Sequence, residues 1–187
     1  MKVKPTPKNG GVLVELRPEE TQIPAQAVST ESAFKLQRIL VPVDFSDCSK
    51  KALQYAIPFA KQFDAELILV HVVEPYPLVP EMAPYDFEEL NDGRDELRSV
   101  QAQVCQQVRS SASLRRGTPH LEITAAAREL TADLIIISTH GRKGLTRRVF
   151  GSTTEKVVRF APCPVLIVRE RERDFIQGTP GLPQSGN

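Results

Sequence analysis

No stretch of the 187-residue chain approaches the roughly 20 consecutive apolar residues that cross a bilayer. No membrane association is therefore expected. Lys2, Lys4 and Lys8 are not followed by an apolar segment, so no secretory signal is expected either. Cys48, Cys105 and Cys163 are odd in number, widely spaced and form no C-x-x-C pair. They fit a reducing, cytoplasmic setting in which each is a small buried or semi-buried thiol. Net charge is nearly lacking, at +1, which argues against a dedicated nucleic-acid binder, although a neutral total can conceal a local basic patch. The chain contains no G-x-x-x-x-G-K-[ST], no G-x-G-x-x-G and no G-x-S-x-G, which sets aside the P-loop, the dinucleotide fingerprint and the nucleophile elbow. His71, His120 and His140 share no metal-ligand spacing with the cysteines, and no catalytic triad is visible. No catalytic residue and no protein-held metal are assigned.

What is present is ordinary for a soluble globular chain, with 41% apolar and 25% charged residues, enough for one domain with tails. Residues 1–36 read as an extension: Pro5, Pro7, Pro18 and Pro24, with Asn9-Gly10-Gly11, interrupt any helix. Two readings stand for it, a loosely attached segment or a strand from Val12 to Leu16 added to a sheet edge. Residues 37–170 form the expected domain, and 171–187 read as a frayed tail.

Within the domain, strand and helix patterns alternate. Ile39 to Val43 is a short buried strand in which Pro42 restricts pairing. A helix starts near Ser46 or Asp47, with Ala52, Leu53, Ala56, Ile57, Ala60 and Phe63 on one face. Pro58 is expected to kink or divide it. Leu67 to Val73 is almost continuously apolar, as in a parallel strand covered on both faces. A charged helix from about Asp86 to Gln107 follows, then a weaker strand, Ser111 to Arg115. Next come a helix from Pro119 to Leu130, a strand Asp133 to Ile137, a helix Ser152 to Phe160 and a strand Val165 to Val168. Five strands alternating with four helices predict an α/β fold, an open parallel sheet with helices on both faces. Ligands bind such sheets beyond the carboxyl ends of the strands, where strand order reverses.

The strand ends carry the chemistry. Asp44 follows the first strand and could accept from an amine or a ribose hydroxyl, help hold a metal, or cap the next helix. His71 lies inside an apolar strand and reads as a satisfied core histidine, whereas the backbone of Val72 could read a planar base edge. Ser138-Thr139-His140-Gly141 and Gly151-Ser152-Thr153 bracket Arg142, Lys143, Arg147 and Arg148 with no acidic residue between them. Gly141 permits close backbone approach, and the unpaired N–H groups of a helix starting at Gly151-Ser152 favour an anion. Ser152 and Glu155 also have the spacing of a capping box, compatible with a phosphate on the remaining N–H groups. The stretch reads as a phosphate site.

Ile39 to Ser46, Val70-His71-Val72, Gly117-Thr118-Pro119 and Asp133 through Val168 closely resemble the universal stress protein family. The likeness spans about residues 36 to 170. It implies a five-stranded sheet of order 3-2-1-4-5, of the adenine nucleotide alpha hydrolase-like type. It also implies an ATP-binding, dimeric regulatory protein of the stress response. Asp44 and Val72 would meet the base, and Gly141, Arg142, Gly151, Ser152 and Thr153 the ribose and phosphates. Mg²⁺ or Mn²⁺ would be held through the phosphates. A homodimer would pair Val165 to Val168 across a two-fold axis. Ser138 departs from the family glycine and brings a hydroxyl that could bond the ligand or crowd it. The alternatives are a nucleotide-independent, chaperone-like dimer that engages an unidentified protein, and an enzyme that consumes ATP.

Overall fold

The computed structural model describes residues 2–5, 12–15, 35–75, 83–140 and 151–169, with side chains described from residue 35 onward except at 83–89. The chain divides into two units, between Phe34 and Lys35. In the first, β1 (Lys2–Pro5) and β2 (Val12–Glu15) form an antiparallel pair, with Lys2 opposite Glu15 and Pro5 opposite Val12. The segment expected either to lie loose or to extend a sheet edge therefore pairs within its own extension.

The second unit runs β3 (Arg38–Pro42), α1 (Asp47–Phe63), β4 (Glu66–Val73), α2 (Ala83–Val104), β5 (Ser110–Arg116), α3 (Pro119–Glu129), β6 (Leu134–Ser138), α4 (Ser152–Phe160) and β7 (Val165–Val168). The five strands form one parallel sheet in the order β5-β4-β3-β6-β7, which is 3-2-1-4-5 counted along this unit. The middles of the central strands, Ile39–Val41, Leu67–Val70 and Ile135–Ile137, are apolar and buried at every position, so alternation sends successive residues to opposite, equally dry faces. Ile39, Val41, Leu67, Leu69 and Ile136 pack with Leu53, Ala56 and Ile57 of α1 and Leu97 and Val104 of α2. Leu40, Ile68, Val70, Ile135 and Ile137 pack with Ile123 and Ala126 of α3 and Val157 of α4.

α1 runs through Pro58 undivided, contrary to the stronger form of the expectation. The ring deletes only the bond to the carbonyl four residues back, that of Gln54. Both residues are half-buried, within reach of water, while Ala52, Leu53, Ala56, Ile57 and Ala60 hold the other face in the core. Packing of that face outweighs one missing hydrogen bond.

Pro42 shapes the sheet where function is expected. The Val43 N–H donates to Val70 O at 2.9 Å, so alternate residues of β3 face β4 and the intervening ones face β6. Pro42 falls on the β6 side and has no N–H to offer. The β3–β6 register comprises only Ile39 with Leu134 and Leu40 with Ile135. The two central strands thus part at their carboxyl ends, at the point where strand order reverses. Among the described residues no helix is long and apolar enough to cross a membrane.

Candidate functional site

A cavity of about 470 Å³ opens at the parting of β3 and β6, within the size range of small-molecule sites. Six of the eight expected residues line it: Asp44, Val72, Ser138, Gly151, Ser152 and Thr153. The other two, Gly141 and Arg142, lie outside the described residues, as do Lys143, Arg147 and Arg148.

Asp44 is presented by the β3–α1 loop. Its Oδ1 accepts from the Ser46 hydroxyl at 2.6 Å and from the Ser46 N–H at 3.2 Å. Ser46 in turn is the helix cap: its Oγ accepts from Ser49 N at 3.2 Å. The capping role left open for Asp44 thus falls to Ser46, and Asp44 is oriented by the cap residue. The next residue, Phe45, has φ 64°, a conformation uncommon for a bulky side chain.

At the end of β4, Val72 shares the alternation of Val70, so its backbone groups face the β3 side one step past the Val43–Val70 bond. His71 was expected to be a satisfied core residue. It is half-buried, with Nδ1 donating to Val43 O at 2.7 Å, and it also lines the cavity. Sequence reading undervalued it because its bond partner lies 28 residues away.

The third wall joins the end of β6 to the start of α4. Ser138 is 7% exposed and its Oγ donates to His140 O at 2.9 Å, closing a turn at the strand end. The Ser138 hydroxyl is therefore engaged by the backbone. Thr154, a residue the sequence reading passed over, donates from Oγ1 to Ser138 O at 2.8 Å, and Gly151 N–H donates to Thr139 O at 2.8 Å. A Cβ on Gly151 would lie 3.2 Å from Thr139 O, tighter than ordinary van der Waals contact, so the close approach favours glycine there.

The expected capping box does not form. Gly151 is the N-cap of α4 and Ser152 the first helical residue, one position too late for its hydroxyl to cap. A glycine cap brings no side-chain acceptor to the first-turn N–H groups, which leaves the positive end of α4 turned to the cavity. Across the cavity, Asp44 of the β3–α1 loop, Glu74 after β4, and Asp92 and Glu96 of α2 line the wall. The cavity is thus polarised, with carboxylates toward β4 and α2 and helix N–H groups toward α4. Among the described residues, no three His, Cys, Asp or Glu side chains are grouped to hold a metal ion. The thiols are less uniform than expected: Cys48 and Cys163 are half-buried, but Cys105 is exposed. Burial, and secondarily the charge of Asp133, pushes the Cys163 thiol above its usual pKa.

Residues 35–169 match the family model described as the universal stress protein family. The chain belongs to the universal stress protein family. Universal stress protein MJ0531 of Methanocaldococcus jannaschii is 34% identical over 150 residues, 77% of this chain and 87% of that protein. The solved structure of universal stress protein UspA from Lactobacillus plantarum superposes with a TM-score of 0.67 at 30% identity, over 73% of this chain and 99% of that one. A universal stress protein solved in complex with cAMP aligns with a TM-score of 0.53 at 25% identity, over 74% and 100% of the two chains.

Proposed function

We propose that this universal stress protein binds an adenine nucleotide, ATP in the first instance, and acts as a dimeric regulatory protein of the stress response. The observation that carries the reading is the polarised cavity at the strand-order switch. A nucleotide has hydrogen-bond donors at one end and negative charge at the other, and it fits that field in one orientation. Asp44 and the backbone of Val72 would meet the base. Ser138, Gly141, Arg142, Gly151, Ser152 and Thr153 would meet the ribose and phosphates, with the N-terminus of α4 stabilising their charge. The relative solved with cAMP supports this choice of ligand class.

Mg²⁺ or Mn²⁺ would enter as a cation carried by the phosphate oxygens. Bound there, it would neutralise phosphate charge. β7 is an edge strand whose Val165, Leu166 and Ile167 remain partly exposed, which supports a homodimer paired through Val165 to Val168. A location in the cytoplasm accords with this role.

Isothermal titration of the full chain with ATP–Mg²⁺, AMP and cAMP tests the reading. Saturable heat at millimolar ligand or below is expected, and its absence for all three overturns it. Gly151→Val, which would drive a side chain against Thr139 O, is expected to weaken ATP binding about tenfold or more while the sheet stays folded. A second reading rests on Val158 and Phe160 of α4, 47% and 51% exposed. They could serve a nucleotide-independent contact with another protein, which would survive Asp44→Ala combined with Gly151→Val.

A further inference from the structure

The imidazole of His71 touches the residue on each side of Asp44. Nδ1 carries the proton and donates it to Val43 O at 2.7 Å. The ring lies against the Phe45 ring, with centroids 4.4 Å apart and planes inclined at 44°. One side chain from β4 therefore holds both neighbours of the carboxylate, one by a hydrogen bond and one by aromatic contact. Phe45 sits at φ 64°, a conformation that persists only where surrounding contacts impose it.

The outer edge of the imidazole is backed by α2. A Cβ built on Gly93 would stand 3.0 Å from His71 Cδ2 and 3.1 Å from Nε2. Glycine is among the poorest helix formers, yet Gly93 occupies the interior of the 22-residue α2. Close approach of the helix to this ring gives it a physical reason. Gly93, His71 and Asp44 all line the same cavity.

We infer that His71 is a positioning residue for the ligand site. Seated against Gly93, it clamps Val43 and Phe45 so that the Asp44 carboxylate is held at the cavity before a ligand arrives. The inference rests on the nucleotide reading for the identity of the ligand, but the clamp is a property of the loop alone. It predicts that affinity depends on the Nδ1–H donor and acts through Asp44.

The test compares His71→Phe, His71→Asn and Gly93→Ala in the full chain, titrated with AMP. An asparagine amide branches from the same Cγ position and can supply the N–H to Val43 O. His71→Phe and Gly93→Ala are expected to weaken AMP binding about tenfold, and His71→Asn by less than about threefold. In an Asp44→Ala background, His71→Phe should change affinity by less than about twofold, since coupled residues are not additive. Equal losses in the Asn and Phe variants, or additive losses with Asp44→Ala, would overturn the inference.

Amide hydrogen exchange at Ser46, whose N–H donates to Asp44 Oδ1, is read without nucleotide. It should accelerate in His71→Phe and not in His71→Asn; no acceleration in His71→Phe refutes the clamp. Acceleration together with no AMP binding by the unaltered protein would uphold the clamp and refute the nucleotide reading.

Discussion

Thr154→Val isolates the contact that ties α4 to the sheet. Thr154 is 4% exposed and its Oγ1 donates to Ser138 O at 2.8 Å, from the first turn of α4 to the last residue of β6. Valine keeps the volume and removes the donor, so no cavity term arises. The loss comprises a hydrogen bond, about 1 kcal/mol net, plus part of the penalty for a buried carbonyl left one partner short, about 1–3 kcal/mol. A destabilisation of about 2 kcal/mol is expected, or a fall in Tm of about 4–8 °C for a chain of this size.

Thr124→Val is the control. Thr124 is equally buried, at 3%, but its Oγ1 donates to His120 O at 2.9 Å and Leu121 O at 3.1 Å within its own helix. Those carbonyls are ones that α3 backbone N–H groups can serve, so the same substitution should cost less than about 0.5–1 kcal/mol. Chemical denaturation of both variants, with the slope checked for constancy, gives the two values. Equal costs, or a Thr154→Val cost below about 0.5 kcal/mol, would refute the assignment of Thr154 as the cross-link between helix and sheet.

Two further outcomes follow from the titrating groups. Burial raises the pKa of the Cys163 thiol, so at pH 8 it should react with iodoacetamide several-fold more slowly than exposed Cys105, as followed by peptide mass spectrometry. Faster labelling of Cys163 would contradict the packing described. The hydrogen bond from Arg115, at 2.6 Å, and secondarily its charge, lower the pKa of Glu129 in the folded state. A lowered folded-state pKa contributes stability above the unfolded value, near 4.3, and loses it as pH falls through the folded value. Glu129→Gln should therefore melt slightly below the unaltered protein at pH 7, and the gap should narrow and close as pH falls through the lowered folded-state value. A gap that persists at acid pH would show that the pair does not act through charge.

Strand and helix types were legible because they depend on patterns a few residues long. The almost continuous apolar runs of β4 and β6 mark buried parallel strands, and α4 begins and ends where its pattern does. Boundaries and caps were less legible. The spacing of Ser152 and Glu155 fits a capping box, yet the cap belongs to Gly151, because its N–H is pinned to Thr139 O, outside the helix. Pro58 has a strong local preference against a helix interior, and α1 overrides it by burying its opposite face against the sheet.

The site divides along the same line. Asp44, the Gly151 turn and a strand-order crevice are consequences of residue type and of element order along the chain. That Pro42 ends the β3–β6 ladder depends on which neighbour its missing N–H would face. That Thr154 reaches Ser138 O and His71 reaches Val43 O depends on strands and helices brought together from 16 and 28 residues away. Local pattern carries the backbone conformation each segment prefers. Hydrogen bonds between distant segments exist only once packing has chosen their neighbours, and the tertiary structure alone decides which groups meet at this cavity.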